Sequence, residues 1–357
     1  MTTETSKKKK RMESLFSISH DKDVDGIASA AIVWRYARSK NLEHSLLLTD
    51  YGGFDQAFAK VAAMRNTLIV ITDLGMDEPA MNHAMPSLSQ AASQGCRIVW
   101  LDHHLWSPAA IKSLLSLENN PVLKVNPEYC AAEITQKVLM PRDETSKELA
   151  TIAHDTDFNL REIEAASALT DAVSVIRFSA LDKREDITES LKPVVEALAK
   201  KGIEGVWDSE RGRFRDTLLQ KQVAYYQKER LKKMKKALVG HCDHSIQGQL
   251  VRIVEIPSGV TTTDLGTFLA AEDNLELEGQ RMPVADLLIT VSQGGMLGFR
   301  RGSEHVLCNE AAKLFDGGGH PYAAGGEYGM YSDFDAVCDD IFLTLSKNTK
   351  WINQDQS

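Results

Sequence analysis

Asp23 and Asp25 stand two residues apart in the segment HDKDVDG, residues 20–26. In an extended chain that spacing turns both carboxylates the same way, and Gly26 lets the chain turn sharply after them. Three more segments carry similar chemistry: TDLG (72–75) offers Asp73, VWLDHHLW (99–106) offers Asp102, His103 and His104, and ATIAHDTDFN (150–159) offers Asp155 and Asp157. Singly, each is weak, because an Asp after a strand commonly caps a turn or a helix; Asp50, Asp55 and Asp77 are read that way. Four such clusters on one sheet edge are another matter. Carboxylates gathered in one crevice repel unless a cation neutralises them. Carboxylate mixed with imidazole suits a metal such as Mn²⁺ better than a thiolate zinc site. The donors suffice for two ions, and a pair roughly 3.5–4 Å apart can clamp both oxygens of a phosphoryl displacement. Farther along, Gly317, Gly318 and Gly319 in DGGGHPYAAGG (316–326) can bring backbone N–H groups close to a phosphate, with charge from His320 and an arginine of GFRRGS (298–303). Tyr322 and Trp106 are read either as base-stacking rings or as packing.

Elements must carry these residues to one place. The first half alternates apolar runs with helical periodicity: strands at 14–19, 44–51, 67–75 and 97–102, and helices at 26–40, 54–66 and, across Pro86, 78–94. Such alternation predicts an α/β fold with a mostly parallel sheet covered on both faces, whose ligands bind beyond the carboxyl ends of the strands. From about 130 to 240 the pattern is helical. It ends in one long helix over 215–240, closed by Gly240 and basic toward its end, as the helix dipole favours. Strands at 249–257, 284–292 and 296–303 and a helix at 306–315 predict a second, smaller α/β domain. The expected organisation is a disordered basic tail (1–13), a catalytic domain (14–212), a helical linker (213–240) and a substrate-binding domain (241–357).

Bulk properties narrow the partners. The chain has 357 residues, 43% hydrophobic and 25% charged, as soluble globular proteins do. No stretch approaches the roughly 20 apolar residues that span a bilayer, and MTTETSKKKKRMES lacks the apolar core of a signal peptide. The net charge of −9 argues against gripping long duplex nucleic acid through its phosphates. Five scattered cysteines form no disulfide framework, which suits a reducing cytoplasm. His241, Cys242 and His244 lack a second ligand pair at finger-like spacing and read as a surface turn. No membrane partner is expected, and a homodimer is left open.

The motifs DVDG (23–26), TDLG (72–75), DHH (102–104) and HDTD (154–157), in this order, resemble those of the DHH phosphoesterases, and GGGHPYAAGG (317–326) resembles the signature of the DHH-associated C-terminal domain. The resemblance spans about 14–345. It implies that His20 and Asp23 hold one metal, that Asp25, His103 and Asp155 hold the other, and that Asp73 bridges both. His20 stands three residues before Asp23 where many relatives have four, so Asp21 is its alternative. Asp157 falls where relatives often carry Gly. The resemblance further implies that Asp102 supports the histidines, that His104 faces the phosphate, and that Arg300 rather than Arg301 meets the substrate with Gly317, Gly318, Gly319 and His320. Manganese is the expected metal, with Mg²⁺ or Co²⁺ as alternatives.

The function implied is a two-metal phosphodiesterase acting on short nucleotides, foremost 5′-phosphorylated linear dinucleotides such as pGpG, the linear product of cyclic-di-GMP opening. Alternatives are a 3′-phosphoadenosine-5′-phosphate phosphatase, a RecJ-like single-strand exonuclease and, in a different class, a catalytically dead nucleotide-binding module. With metals in one domain and the phosphate cradle in the other, a substrate is expected to reach both.

Overall fold

The computed structural model describes residues 12–277 and 279–353; most of the basic tail read over 1–13, including the run Lys7 to Arg11, lies outside the described residues. The chain divides into two compact units within one long helix, the first ending at Ala224 and the second beginning at Tyr225.

The first unit opens with β1 (Ser14–His20), α1 (Val24–Ser39), β2 (Glu43–Thr49), α2 (Phe54–Ala63), β3 (Thr67–Thr72), α3 (Glu78–Ser93), β4 (Arg97–Asp102), α4 (Pro108–Leu115) and β5 (Val122–Val125). The strands form one all-parallel sheet in the order β2-β1-β3-β4-β5. Helices α5 (Ala131–Leu139), α6 (Glu144–Asp157), α7 (Glu164–Lys183) and α8 (Ile187–Lys201) follow, then a two-residue ribbon, β6 (Trp207–Asp208) with β7 (Arg213–Phe214). Apolar residues of β1 and β3 are buried on both faces of the sheet, as a sheet covered on two sides requires. One side packs against α2, α3 and α4 through Phe58, Met81, Leu88 and Trp100. α1, buried along most of its length, lies on the other.

The strand order places a reversal between β1 and β3. The chain leaves β1 toward one edge and β3 toward the other, and the helices that follow open a crevice at their carboxyl ends. The register aligns Ser19 with Thr72 and Thr72 with Leu101. The next residues along those strands are His20, Asp73 and Asp102, so three residues of the expected site end three adjacent strands. Asp73 has φ +56°, a left-handed conformation uncommon for a residue with a side chain and frequent at functional turns.

The long helix α9 (Thr217–Val239) runs from the first unit into the second. The second unit holds β8 (Cys242–Ile246), β9 (Gln249–Glu255), α10 (Thr262–Ala270), a minor ribbon of β10 (Glu276–Leu277) and β11 (Gln280–Arg281), β12 (Leu287–Val291), β13 (Met296–Arg301), α11 (Cys308–Ala312), β14 (Gly318–His320), β15 (Ala323–Glu327) and α12 (Phe334–Lys347). Its mixed sheet runs β14-β15-β13-β12-β9-β8, with β9 and β12 parallel and the remaining neighbours antiparallel. One expectation is corrected here. The segment holding Cys242 and His244 is a strand paired to β9, not a turn. The glycine-rich signature forms a tight hairpin, β14 to β15.

Candidate metal centre

His20, at the end of β1, is buried, and its Nδ1 lies 2.9 Å from Asp23 Oδ2 and 3.4 Å from Asp73 Oδ2. Asp23 is the N-cap of α1, accepting from the Gly26 N–H at 3.0 Å. Gly26 is required by this approach: a Cβ there would fall 2.3 Å from the His20 carbonyl oxygen and 2.7 Å from its Cβ. Asp21 points elsewhere, toward the Arg177 guanidinium at 2.9 Å. The geometry thus brings in His20, not its neighbour.

A second cluster lies on the other side of Asp73. His103 Nε2 is 3.3 Å from Asp73 Oδ1 and 3.8 Å from Asp25 Oδ2, and its Nδ1 is 3.5 Å from Asp157 Oδ2. In each of three groups, His20–Asp23–Asp73, Asp25–His103–Asp157 and Asp73–His103–His104, one donor atom per residue lies within 4.8 Å of the others. Asp73 meets His20 and His103 through different oxygens. Asp25 is fixed by the N-terminus of α5, its two oxygens accepting from the Ala131 and Ala132 N–H groups at 2.7 Å each.

The two acids of the fourth motif have different partners. Asp155 is buried, but its carboxylate accepts from the Glu162 N–H at 2.9 Å, closing the turn after α6. Asp157, the last residue of α6, is the acid that meets His103. On a helix two residues differ by about 200°, so the two acids point to opposite sides.

Asp102 is fully buried and accepts twice, from His104 Nδ1 at 2.8 Å and from the Trp106 indole N–H at 2.7 Å. It therefore supports His104 but not His103, whose neighbours are Asp25, Asp73 and Asp157. Trp106 is buried edge-on against Trp100, which removes it as a stacking ring. Gly75 gives His104 its place, since a Cβ at 75 would lie 2.7 Å from the His104 Cβ.

The charges in this cluster do not balance. Burial raises the pKa of Asp25, and Asp73, Asp157 and Asp23 push it further. Burial likewise raises Asp157, to about 6, with Asp73 and Asp23 adding to it. His20 and His103 respond in the opposite sense. Burial opposes their charge, but the facing carboxylates prevail and hold each imidazole up at about 10. Both ring nitrogens of His20 and Oδ2 of Asp73 are buried without a hydrogen-bond partner. Buried polar atoms left unpaired are costly; unpaired donors of this type, facing one another among surplus carboxylates, fit divalent cations.

In the second unit, register pairs Arg300 with Ala323 and Ala323 with His320, so all three share one face of the sheet. Arg301 faces the other way and is exposed. The Arg300 stem lies against α10 where Gly266 leaves room, a Cβ there falling 3.2 Å from Arg300 Cγ. The glycines of the signature divide by role. A Cβ at Gly317 would lie 2.1 Å from the Gly325 oxygen, and one at Gly319 2.7 Å from the Ala324 Cα, so both serve hairpin packing. Only Gly318 faces open space. Tyr322 is exposed and stacks on the His320 ring at 5.2 Å, with 6° between planes. One residue beside the metal centre was not singled out from the sequence. Tyr51 follows β2, and its hydroxyl accepts from the Gly75 N–H at 3.2 Å.

Known proteins resemble this chain in part of its sequence and in its fold. Residues 16–158 match the DHH family, N-terminal domain. No curated protein sequence matches the chain. Similar solved structures include an exopolyphosphatase-related protein from Bacteroides fragilis (14% identity, 95% of this chain and 93% of that one, TM-score 0.50). The pGpG-specific phosphodiesterase PggH from Vibrio cholerae is another (13%, 94% and 100%, TM-score 0.52). A third is exonuclease RecJ bound to manganese (13%, 94% and 90%, TM-score 0.52). Both histidine–carboxylate clusters lie inside the segment that matches the DHH family, N-terminal domain.

Proposed function

We propose that this chain is a two-metal phosphodiesterase that hydrolyses short nucleotides, foremost 5′-phosphorylated linear dinucleotides such as pGpG, to mononucleotides. The observation carrying this reading is Asp73, with one oxygen toward each of two histidine–carboxylate clusters. His20, Asp23 and Asp73 would hold one ion, and Asp73, Asp25, His103 and Asp157 the other, Mn²⁺ being favoured by the mixed donors. Two such ions supply the positive charge that attracts a phosphodiester and activates water against it.

The protein's own groups do the rest. Asp102 fixes the His104 ring through Nδ1 and, against the cost of burial, raises its pKa. With Nδ1 tied to Asp102, Nε2 is left to meet a phosphoryl oxygen, and the raised pKa favours the charged ring that would offset charge developing there. Asp23 and Asp25 are oriented by backbone N–H groups, so the donors are set before substrate arrives. Arg300, the Gly318 backbone and His320 are the proposed contacts for a further phosphate or sugar. PggH shares this fold and acts on pGpG by its description, which makes that dinucleotide the first substrate to try.

A second reading has a specific observation behind it. Lys221, Tyr225, Lys228, Lys232 and Lys235 are exposed at alternating four- and three-residue intervals along α9, one basic face with an aromatic ring in it. Such a face attracts single strands and favours the RecJ-like exonuclease. A series of oligonucleotides from two to ten residues separates the two. A kcat/KM highest at two nucleotides supports the dinucleotidase; equal or rising efficiency with length overturns it.

A further inference from the structure

Tyr51 occupies a short 3₁₀ turn, Tyr51–Gly53, immediately after β2. The turn is firmly held. Asp50 caps it by accepting from the Gly52 N–H at 2.9 Å, and the same carboxylate lies 3.2 Å from Lys22 Nζ and 3.4 Å from an Arg177 nitrogen. Arg177 also holds Asp21, directly after the candidate ligand His20. Tyr51 itself is 46% exposed. Its ring centroid lies 5.9 Å from that of His20 and 6.3 Å from that of His104, nearly perpendicular to the latter at 87°. Phe54 backs it at 5.3 Å, and its hydroxyl is tied to the Gly75 N–H.

Scattered exposed aromatic rings need no explanation. Tyr51 differs because two cations and a cap fix the turn that bears it, and because its neighbours belong to both parts of the site. It touches a candidate metal ligand on one side and the phosphate-facing histidine on the other. A base attached to a nucleotide whose phosphate sits between those groups lies within one ring's reach of Tyr51. Base–aromatic stacking tolerates any base and needs little reorganisation when the ring is already held.

We propose that Tyr51 is the specificity residue on which a nucleobase flanking the reacting phosphate stacks. The proposal rests on the nucleotide-hydrolase reading above and adds the subsite for the base.

The test compares the wild type with Y51F and Y51A on pGpG and on an abasic dinucleotide. A dinucleotide containing 2-aminopurine reports stacking by fluorescence quenching, independently of turnover. Y51A is expected to raise KM for pGpG about 10- to 100-fold, with kcat and metal content little changed and KM for the abasic compound unaltered. Y51F should keep wild-type values and wild-type quenching. The proposal is overturned if Y51A raises KM equally for both compounds, which marks a structural role, or if Y51F behaves as Y51A does, which assigns the effect to the hydroxyl. Quenching by a wild type that cleaves no dinucleotide would reject the hydrolase reading and leave the stacking site standing. Absence of quenching in the wild type would reject the stacking site itself.

Discussion

Asp102 and His104 meet at 2.8 Å, while His103, between them in sequence, turns away to three other carboxylates. The tandem histidines therefore have different partners. Asp102 accepts from both His104 and Trp106, which an amide at that position cannot do. D102N should lower turnover about 10- to 100-fold, the range for partners that orient a site's primary groups, with metal content unchanged. H103A should instead lose metal. Elemental analysis beside initial rates distinguishes them; equal metal loss in both variants would contradict this division.

Asp73 is the only residue common to the two clusters facing His20 and His103. D73N keeps a side chain that tolerates the left-handed backbone at φ +56° but removes the charge. Metal stoichiometry should fall below two and turnover by orders of magnitude, with thermal unfolding still cooperative. Near-normal turnover in metal-replete buffer would show that no bridge exists.

Asp155 and Asp157 should separate in the same assay. D157N removes the acid facing His103, so binding of one ion should weaken by about 10-fold or more. D155N retains an oxygen that can accept from the Glu162 N–H, and should bind metal as the wild type does. Metal loss in D155N alone would restore the expectation drawn from the sequence.

Protons and metal compete for the imidazoles. Despite the opposing effect of burial, the carboxylates hold His20 and His103 protonated up to about 10 in the metal-free protein. A ligating imidazole must be neutral. Metal binding near pH 7 should therefore release protons, and apparent affinity should rise with pH, about tenfold per unit for each proton released, levelling off above about 10. The metal-free fold should show the converse. The contribution of these charged histidines is complete below the ordinary imidazole pKa of about 6.5 and is lost as pH rises through about 10. Calorimetric titration in buffers of differing ionisation enthalpy counts the protons; a count of zero would mean that the imidazoles were already neutral.

Much of this centre was legible in the chain. Apolar runs between helical patterns place β1, β3 and β4 within a few residues, and the acids after them fall on adjacent strands because the register aligns their ends. Asp155 and Asp157 were not separable from the sequence, because both lie in the last turn of α6 and only their partners, the Glu162 N–H and His103, tell them apart. Trp106 was open to two readings because its indole partner, Asp102, is four residues away on a chain that reverses direction. Tyr51 carried no signal at all. Its importance arises from Gly75, twenty-four residues later, and from Arg177 far beyond it. In the signature hairpin, composition suggested three equivalent glycines, and only the pairing of β14 with β15 separates Gly318 from its neighbours.

Gly26 and Gly75 each lie beneath a histidine of the centre, His20 and His104, at distances no side chain could share. The atoms met are the backbone or Cβ of the facing residue, so a side chain gained at 26 or 75 would push aside the chain that bears the imidazole even though the histidine codon was untouched. Laboratory recombination that exchanges DVDG or TDLG without its histidine partner should yield folded proteins with an impaired centre.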